Sequence, residues 1–114
     1  MLPAPGQGAL AVQCRAGDTD TLSWLAALEH TPTRQAVAAE RAFLAGLGGG
    51  CSLPVGAYAH LDGAYVDLQV VVAAVDGQQL IRHHARGNDP LALGTGCAQA
   101  VLDLGAGDFL SAME

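Results

Sequence analysis

Three consecutive glycines, Gly48-Gly49-Gly50, cut off a helix-compatible run that ends at Leu47. Glycine reaches backbone angles closed to other residues and is the usual residue just beyond a helix end. A thiol, Cys51, follows at once, and Pro54 bars a new helix. Beyond Pro54 the apolar period drops to two. The chain is thereby divided into a helical part before the glycines and a strand-rich part after them.

In the strand-rich part, Val55 to Leu61 reads as a strand and Asp62-Gly63 as a hairpin turn. Ala64 to Val75 reads as a longer strand. Tyr65, Asp67 and Gln69 point one way along it, and Val66, Leu68, Val70 and Val72 the other. Asp76-Gly77 is a second hairpin signal, and Gln79 to Arg86 a third strand. Asn88-Asp89-Pro90 starts a helix, with Asp89 as cap and Pro90 in the first helical position. That helix runs to about Leu104, buries Leu93, Cys97, Ala98 and Val101, and stops at Gly105.

Before the glycines, Ala9 to Cys14 alternates as a short strand after the extended Pro3-Ala4-Pro5-Gly6-Gln7-Gly8. Asp18-Thr19-Asp20-Thr21 is rich in capping residues and opens a short amphipathic helix through Leu22, Leu25, Ala26 and Leu28. Thr31-Pro32-Thr33 breaks it, and Thr31 or Thr33 caps the helix that runs to Leu47. Val37, Phe43, Leu44 and Leu47 are its apolar contacts, Ala36 and Ala39 permit close packing, and Glu40 and Arg41 face solvent or pair. The pattern gives an α+β fold, a three-stranded antiparallel sheet with helices packed on one face.

The 114 residues are one domain's worth. The net charge is −6, with no lysine and only Arg15, Arg34, Arg41, Arg82 and Arg86. This excludes a nucleic-acid surface or an anionic-membrane patch, both of which need clustered positive charge. There is no run of apolar residues long enough to span a bilayer, and Met1 to Gly6 lacks the basic and apolar regions of a signal peptide. Cys14, Cys51 and Cys97 have no disulfide-framework spacing and suit a reducing compartment, which places the chain in the cytoplasm.

For Cys51, two readings stand: a small buried thiol filling a gap, or a reactive one on a loop kept open by glycine. The stretch Glu40-Arg41-Ala42-Phe43-Leu44-Ala45-Gly46-Leu47-Gly48-Gly49-Gly50-Cys51-Ser52-Leu53-Pro54-Val55-Gly56 closely resembles the cofactor-attachment signature of porphobilinogen deaminase (hydroxymethylbilane synthase). Leu2-Pro3-Ala4-Pro5-Gly6-Gln7-Gly8-Ala9 resembles a second stretch of that family, which lines part of its active-site cleft. The resemblance implies a dipyrromethane cofactor on Cys51 through a thioether, with Gln7 and Gly8 near it. Gln7 is equally compatible with a loop that carries no chemistry. The implied reaction polymerises four porphobilinogen molecules into hydroxymethylbilane with release of ammonia, in tetrapyrrole biosynthesis.

Other constellations are weaker. His83 and His84 are neighbours on a strand, so their side chains point to opposite faces, away from a common metal. Cys51 and His60 match no familiar catalytic spacing. Cys14 and Cys97 read as core residues.

The resemblance spans nearly all of this chain and about the last third of a family member. The family's upstream domains supply a catalytic aspartate and an arginine-lined cleft, so no catalytic residue is assigned here. Residues 1–15 are expected to be the remnant of a strand linking to those domains, and 16–114 the cofactor-carrying domain. Without partners for their backbone, the first fifteen residues are expected to be disordered or to pair with a neighbouring copy as an edge strand. The chain is therefore expected to be a piece or half of a deaminase, inactive alone, with the upstream domains as partner. The alternative is a stand-alone α+β binding module without catalysis, and a third reading is a redox-sensing thiol at Cys51.

Overall fold

Two helices meet so closely that glycine is required at their crossing. In a computed structural model, which describes residues 2–48, 54–74 and 79–106, α2 (Thr31–Leu47) lies against α3 (Pro90–Val101). A Cβ on Gly46 would come within 2.6 Å of the Ala98 Cβ, and one on Gly94 within 2.8 Å of the Phe43 nitrogen. Such approach brings the backbones together and lets the pair cover a small sheet.

The sheet is β1 (Val55–Asp62), β2 (Tyr65–Ala73) and β3 (Leu80–Gly87), antiparallel in the order β1-β2-β3. The sequence's alternation is realised in β2, where Val66, Leu68, Val70 and Val72 are buried. With Ala57 and Ala59 they form the inner face, closed by Ala39, Phe43 and Leu47 of α2 and by Leu93, Cys97, Ala98 and Val101 of α3. The fold is thus α+β, with its main helices on one face. Asp62 pairs with Tyr65 across a turn that holds Gly63 at φ 63°. The expected Asp76-Gly77 turn lies outside the described residues.

Helix ends follow the local chemistry. Asp89 caps α3, its Oδ1 accepting from the Leu91 and Ala92 nitrogens at 3.1 and 3.3 Å, with Pro90 following. Gly105, at φ 112°, breaks the wider turn Leu102–Ala106 that continues α3. Gly48 closes α2 in the left-handed conformation. The N-terminal cap of α2 differs from expectation. It is His30, whose Nδ1 accepts from the Thr33 nitrogen and meets the Thr33 hydroxyl at 2.7 Å. Helical geometry begins at Thr31, so both threonines lie inside the first turn, too late to cap.

The first helix, α1 (Thr19–Ala26), is capped by Asp18, which accepts from the Thr21 nitrogen at 3.1 Å. That bond holds the Asp18 carboxyl below its ordinary range. None of its residues is buried.

The expected strand Ala9–Cys14 does not form; its residues adopt no regular structure and Leu10 to Gln13 are exposed. A strand needs a ladder partner, and the edge of β1 is already engaged elsewhere. The Ala57 nitrogen donates to the Pro3 carbonyl at 2.8 Å. Leu2, Pro3 and Gly6 therefore dock on this domain, in contrast to the disorder or intercopy pairing expected for the first fifteen residues.

The α2–α3 crossing yields a paired test. Gly94→Ala should lower stability by about 2 kcal/mol, because the new methyl meets backbone of α2. Gly96→Ala, on the open side of α3, should raise it by about 0.5–1 kcal/mol. Urea midpoints for the two variants check both signs.

Candidate functional site

Two linked turns shape the segment that carries Gln7 and Gly8. The Gln7 nitrogen donates to the Ala4 carbonyl at 3.1 Å, and the Ala9 nitrogen to the Gly6 carbonyl at 3.2 Å. Pro5 precedes Gly6 (φ 75°) in the first turn and Gln7 precedes Gly8 (φ 85°) in the second. Proline second and positive-φ glycine third is the type II pattern of the first turn, and Gly8 occupies the same third place in the next. The Ala4 nitrogen donates to the Gln7 Oε1 at 3.1 Å. This commits the amide oxygen and leaves the NH₂ group as the free end, a donor suited to a carboxylate. A Cβ at Gly8 would meet nothing within 4 Å.

The turns are held by a residue that sequence reasoning misplaced. Glu40 is not a surface charge: it is 7% exposed. Its Oε1 accepts from the Gly6 nitrogen at 2.7 Å and its Oε2 from the Ala59 nitrogen at 2.9 Å. A buried carboxylate is tolerated only when hydrogen-bonded, and here both oxygens are satisfied. The spacing of Ala36, Glu40, Phe43 and Leu47 puts Glu40 on the buried stripe of α2, which was the available signal. Its partners are backbone N–H groups, which leave no mark in a sequence. Arg41, beside it, is exposed as expected.

Close approach at the start of β1 completes the dock. A Cβ on Gly56 would come within 3.0 Å of Leu2, so Leu2 crosses the strand only because Gly56 has no side chain. Cys51 lies outside the described residues, between Gly48 at the end of α2 and Pro54 before β1. Gln7 and Gly8 share one turn, beside Gly6 on Glu40. Glu40 lies about 10 Å along α2 from Leu47, from the helical rise of seven residues.

The remaining thiols and histidines are placed as follows. Cys97 is buried on α3, and burial pushes its thiol up to about 11. Cys14, read as a core residue, is only half-buried. It lines an open groove of about 1030 Å³ with Leu10, Val12, Leu25, Val37 and Arg41. His83 and His84 do face opposite sides of β3. His84 pairs with Asp67 on the open face of the sheet, a contact that holds the Asp67 carboxyl below its ordinary range. His60 is stacked on Tyr58 on the same open face, with centroids 5.8 Å apart. Among the described residues no group of three metal-ligating side chains assembles.

The model of the porphobilinogen deaminase C-terminal domain matches residues 34–103, which contain Glu40, the glycine loop, the whole sheet and α3. The chain belongs to the porphobilinogen deaminase family. It is 50% identical over 111 residues to the porphobilinogen deaminase of Brevibacillus brevis, covering 96% of this chain and 36% of that protein. The enzymes of Desulforudis audaxviator and Moorella thermoacetica are 45% and 44% identical, over 96% and 99% of this chain. The chain thus spans 36–37% of the length of these relatives. No helix among the described residues is long and apolar enough to cross a membrane.

The thiol environments make a labelling prediction. In the native chain at pH 8, iodoacetamide should modify Cys14 and leave Cys97 unmodified, since burial leaves about a thousandth of Cys97 as thiolate. Both should react in urea. Peptide mass spectrometry reads the order, and native labelling of Cys97 at the rate of Cys14 would contradict this placement.

Proposed function

We propose that this chain acts as the cofactor-carrying C-terminal domain of a porphobilinogen deaminase. The observation that carries this reading is the match over 96% of the chain to the Brevibacillus brevis enzyme, with the Glu40-to-Gly56 stretch inside it. Cys51 would hold the dipyrromethane as a thioether, on a connection with glycine on one side and proline on the other. The residues present fit such a group: the free NH₂ of Gln7 can donate to a pyrrole carboxylate, and the open side of Gly8 gives it room. When bound, dipyrromethane supplies the covalent primer onto which four porphobilinogen units are added, each with loss of ammonia.

The chain's own charges argue that the rest of the site comes from elsewhere. Porphobilinogen carries two carboxylates, and such groups are best held by paired arginines. Arg34 pairs with Glu29, and Arg86 pairs with Asp62 and lies over the Tyr65 ring. Arg34 and Arg41 line the groove while Arg82 and Arg86 lie on the sheet, so the four are divided between two surfaces. Upstream deaminase domains would supply the missing cations and the proton-transferring acid. The groove's apolar wall fits them: Leu10 is 98% exposed and Leu28 75%. Residues 1–15 are then the link to those domains, and the groove is also where a second copy could pack in their absence. A cytoplasmic location follows from the same reading, since the three cysteines suit a reducing compartment.

The test is reconstitution. The chain is mixed with the upstream two-thirds of the Brevibacillus brevis enzyme and porphobilinogen, then examined by denaturing mass spectrometry. An added mass of two linked pyrroles on the wild-type chain, absent from Cys51→Ser, together with hydroxymethylbilane formation, is the expected result. No adduct and no turnover in the mixture would favour a stand-alone binding module. Reversible oxidation of Cys51 without a pyrrole would favour a redox thiol.

A further inference from the structure

We propose that Glu40 is a positioning residue that fixes the turn carrying Gln7 and Gly8 by clamping Gly6 to the edge of β1. The functional weight of this clamp rests on the reading of Gln7 and Gly8 as cofactor-facing; the clamp itself does not. Glu40 touches neither residue and acts through Gly6.

The edge of β1 shows why a carboxylate is needed there. Ala57 and Ala59 are successive residues whose N–H groups point away from β2. The first is taken by the Pro3 carbonyl and the second by the Glu40 Oε2. The segment from Leu2 thus begins to pair with β1, then leaves it at the Pro5-Gly6 turn. Beyond that departure the Glu40 carboxylate stands in for the carbonyl a further strand residue would have offered. Its second oxygen captures the Gly6 nitrogen at 2.7 Å, binding the departing chain to the place it left.

Gly6 is the residue through which orientation passes. It is third in the Ala4–Gln7 turn and first in the Gly6–Ala9 turn, donating its N–H to Glu40 and accepting from the Ala9 nitrogen. Fixing this one residue therefore sets the direction of Gln7 and Gly8. Both partners of Glu40 are N–H donors, so glutamine is no substitute. Its NH₂ would face one of them, and at least one of the two bonds would be lost.

The experiment uses the isotope-labelled 114-residue chain in solution. Through-hydrogen-bond scalar couplings from the Gly6 and the Ala59 nitrogens to the Glu40 carboxylate carbon are expected in the wild type. Their absence overturns the proposal, whatever any variant does. In Glu40→Gln, amide exchange at Gly6, Gln7 and Ala9 should accelerate about tenfold or more, while Leu68, Val70 and Val101 keep wild-type rates. Unchanged exchange at Gly6 overturns the clamp, and an equal rise throughout the core shows a general structural role and overturns it too. If Glu40→Gln does not fold, the wild-type couplings decide. Loading of Cys51 that is indifferent to Gln7→Ala, with both couplings present, would remove the cofactor-facing reading and leave the clamp standing.

Discussion

The close crossing of α2 and α3 is the contact on which the rest of the domain depends. The inner face of the sheet is made of alanine and valine, and such side chains fill little depth. Only helices able to sit low and close together can seal it without cavities. Gly46, Gly94, Ala39, Ala42 and Ala98 provide that approach, and Phe43 supplies a large buried ring at its centre. Because α2 is held in this position, Glu40 reaches the edge of β1.

A single helix thus serves two tasks from adjacent positions. Phe43 and Leu47 face the core, while Glu40, a turn earlier on the same stripe, faces the place where the incoming chain crosses the sheet edge. The arrangement ties the Gly6 end of the Gln7-Gly8 turn to the same helix that Gly48 closes. The chain spans little more than a third of the length of its relatives, and under the proposed reading the remaining chemistry would lie with the upstream domains.

Much of this was legible in the sequence, and the failures share a cause. The period of two in β2, the Asp89-Pro90 start and the glycine at the end of α2 each depend on local chemistry, and each is realised as read. The alternation of Ala9 to Cys14 is equally plain, yet a strand is a property of a pair, and no partner is available where those residues lie. The Glu40 clamp was hidden for the complementary reason: its partners are main-chain nitrogens, identical in every residue but proline. His30 displaced the threonines as a cap because capping depends on where the helical geometry begins, which composition leaves open by a residue or two. Gln7 and Gly8 lie in a turn, as read, whereas the support beneath them was visible only in three dimensions.

The sheet has two edges, and they are kept from forming fibres by different means. The edge at β1 is occupied by the chain's own Leu2-Pro3 segment and the Glu40 carboxylate. The edge at β3 is bare among the described residues, but its strand carries Arg82, His83, His84 and Arg86 in five consecutive positions. Arg82, His84 and Arg86 share the open face there, with His84 on Asp67 and Arg86 on Asp62, so a second copy approaching through β3 would meet charged side chains along the edge. Charged side chains on an edge strand oppose edge-to-edge pairing of copies, whatever packs in the groove.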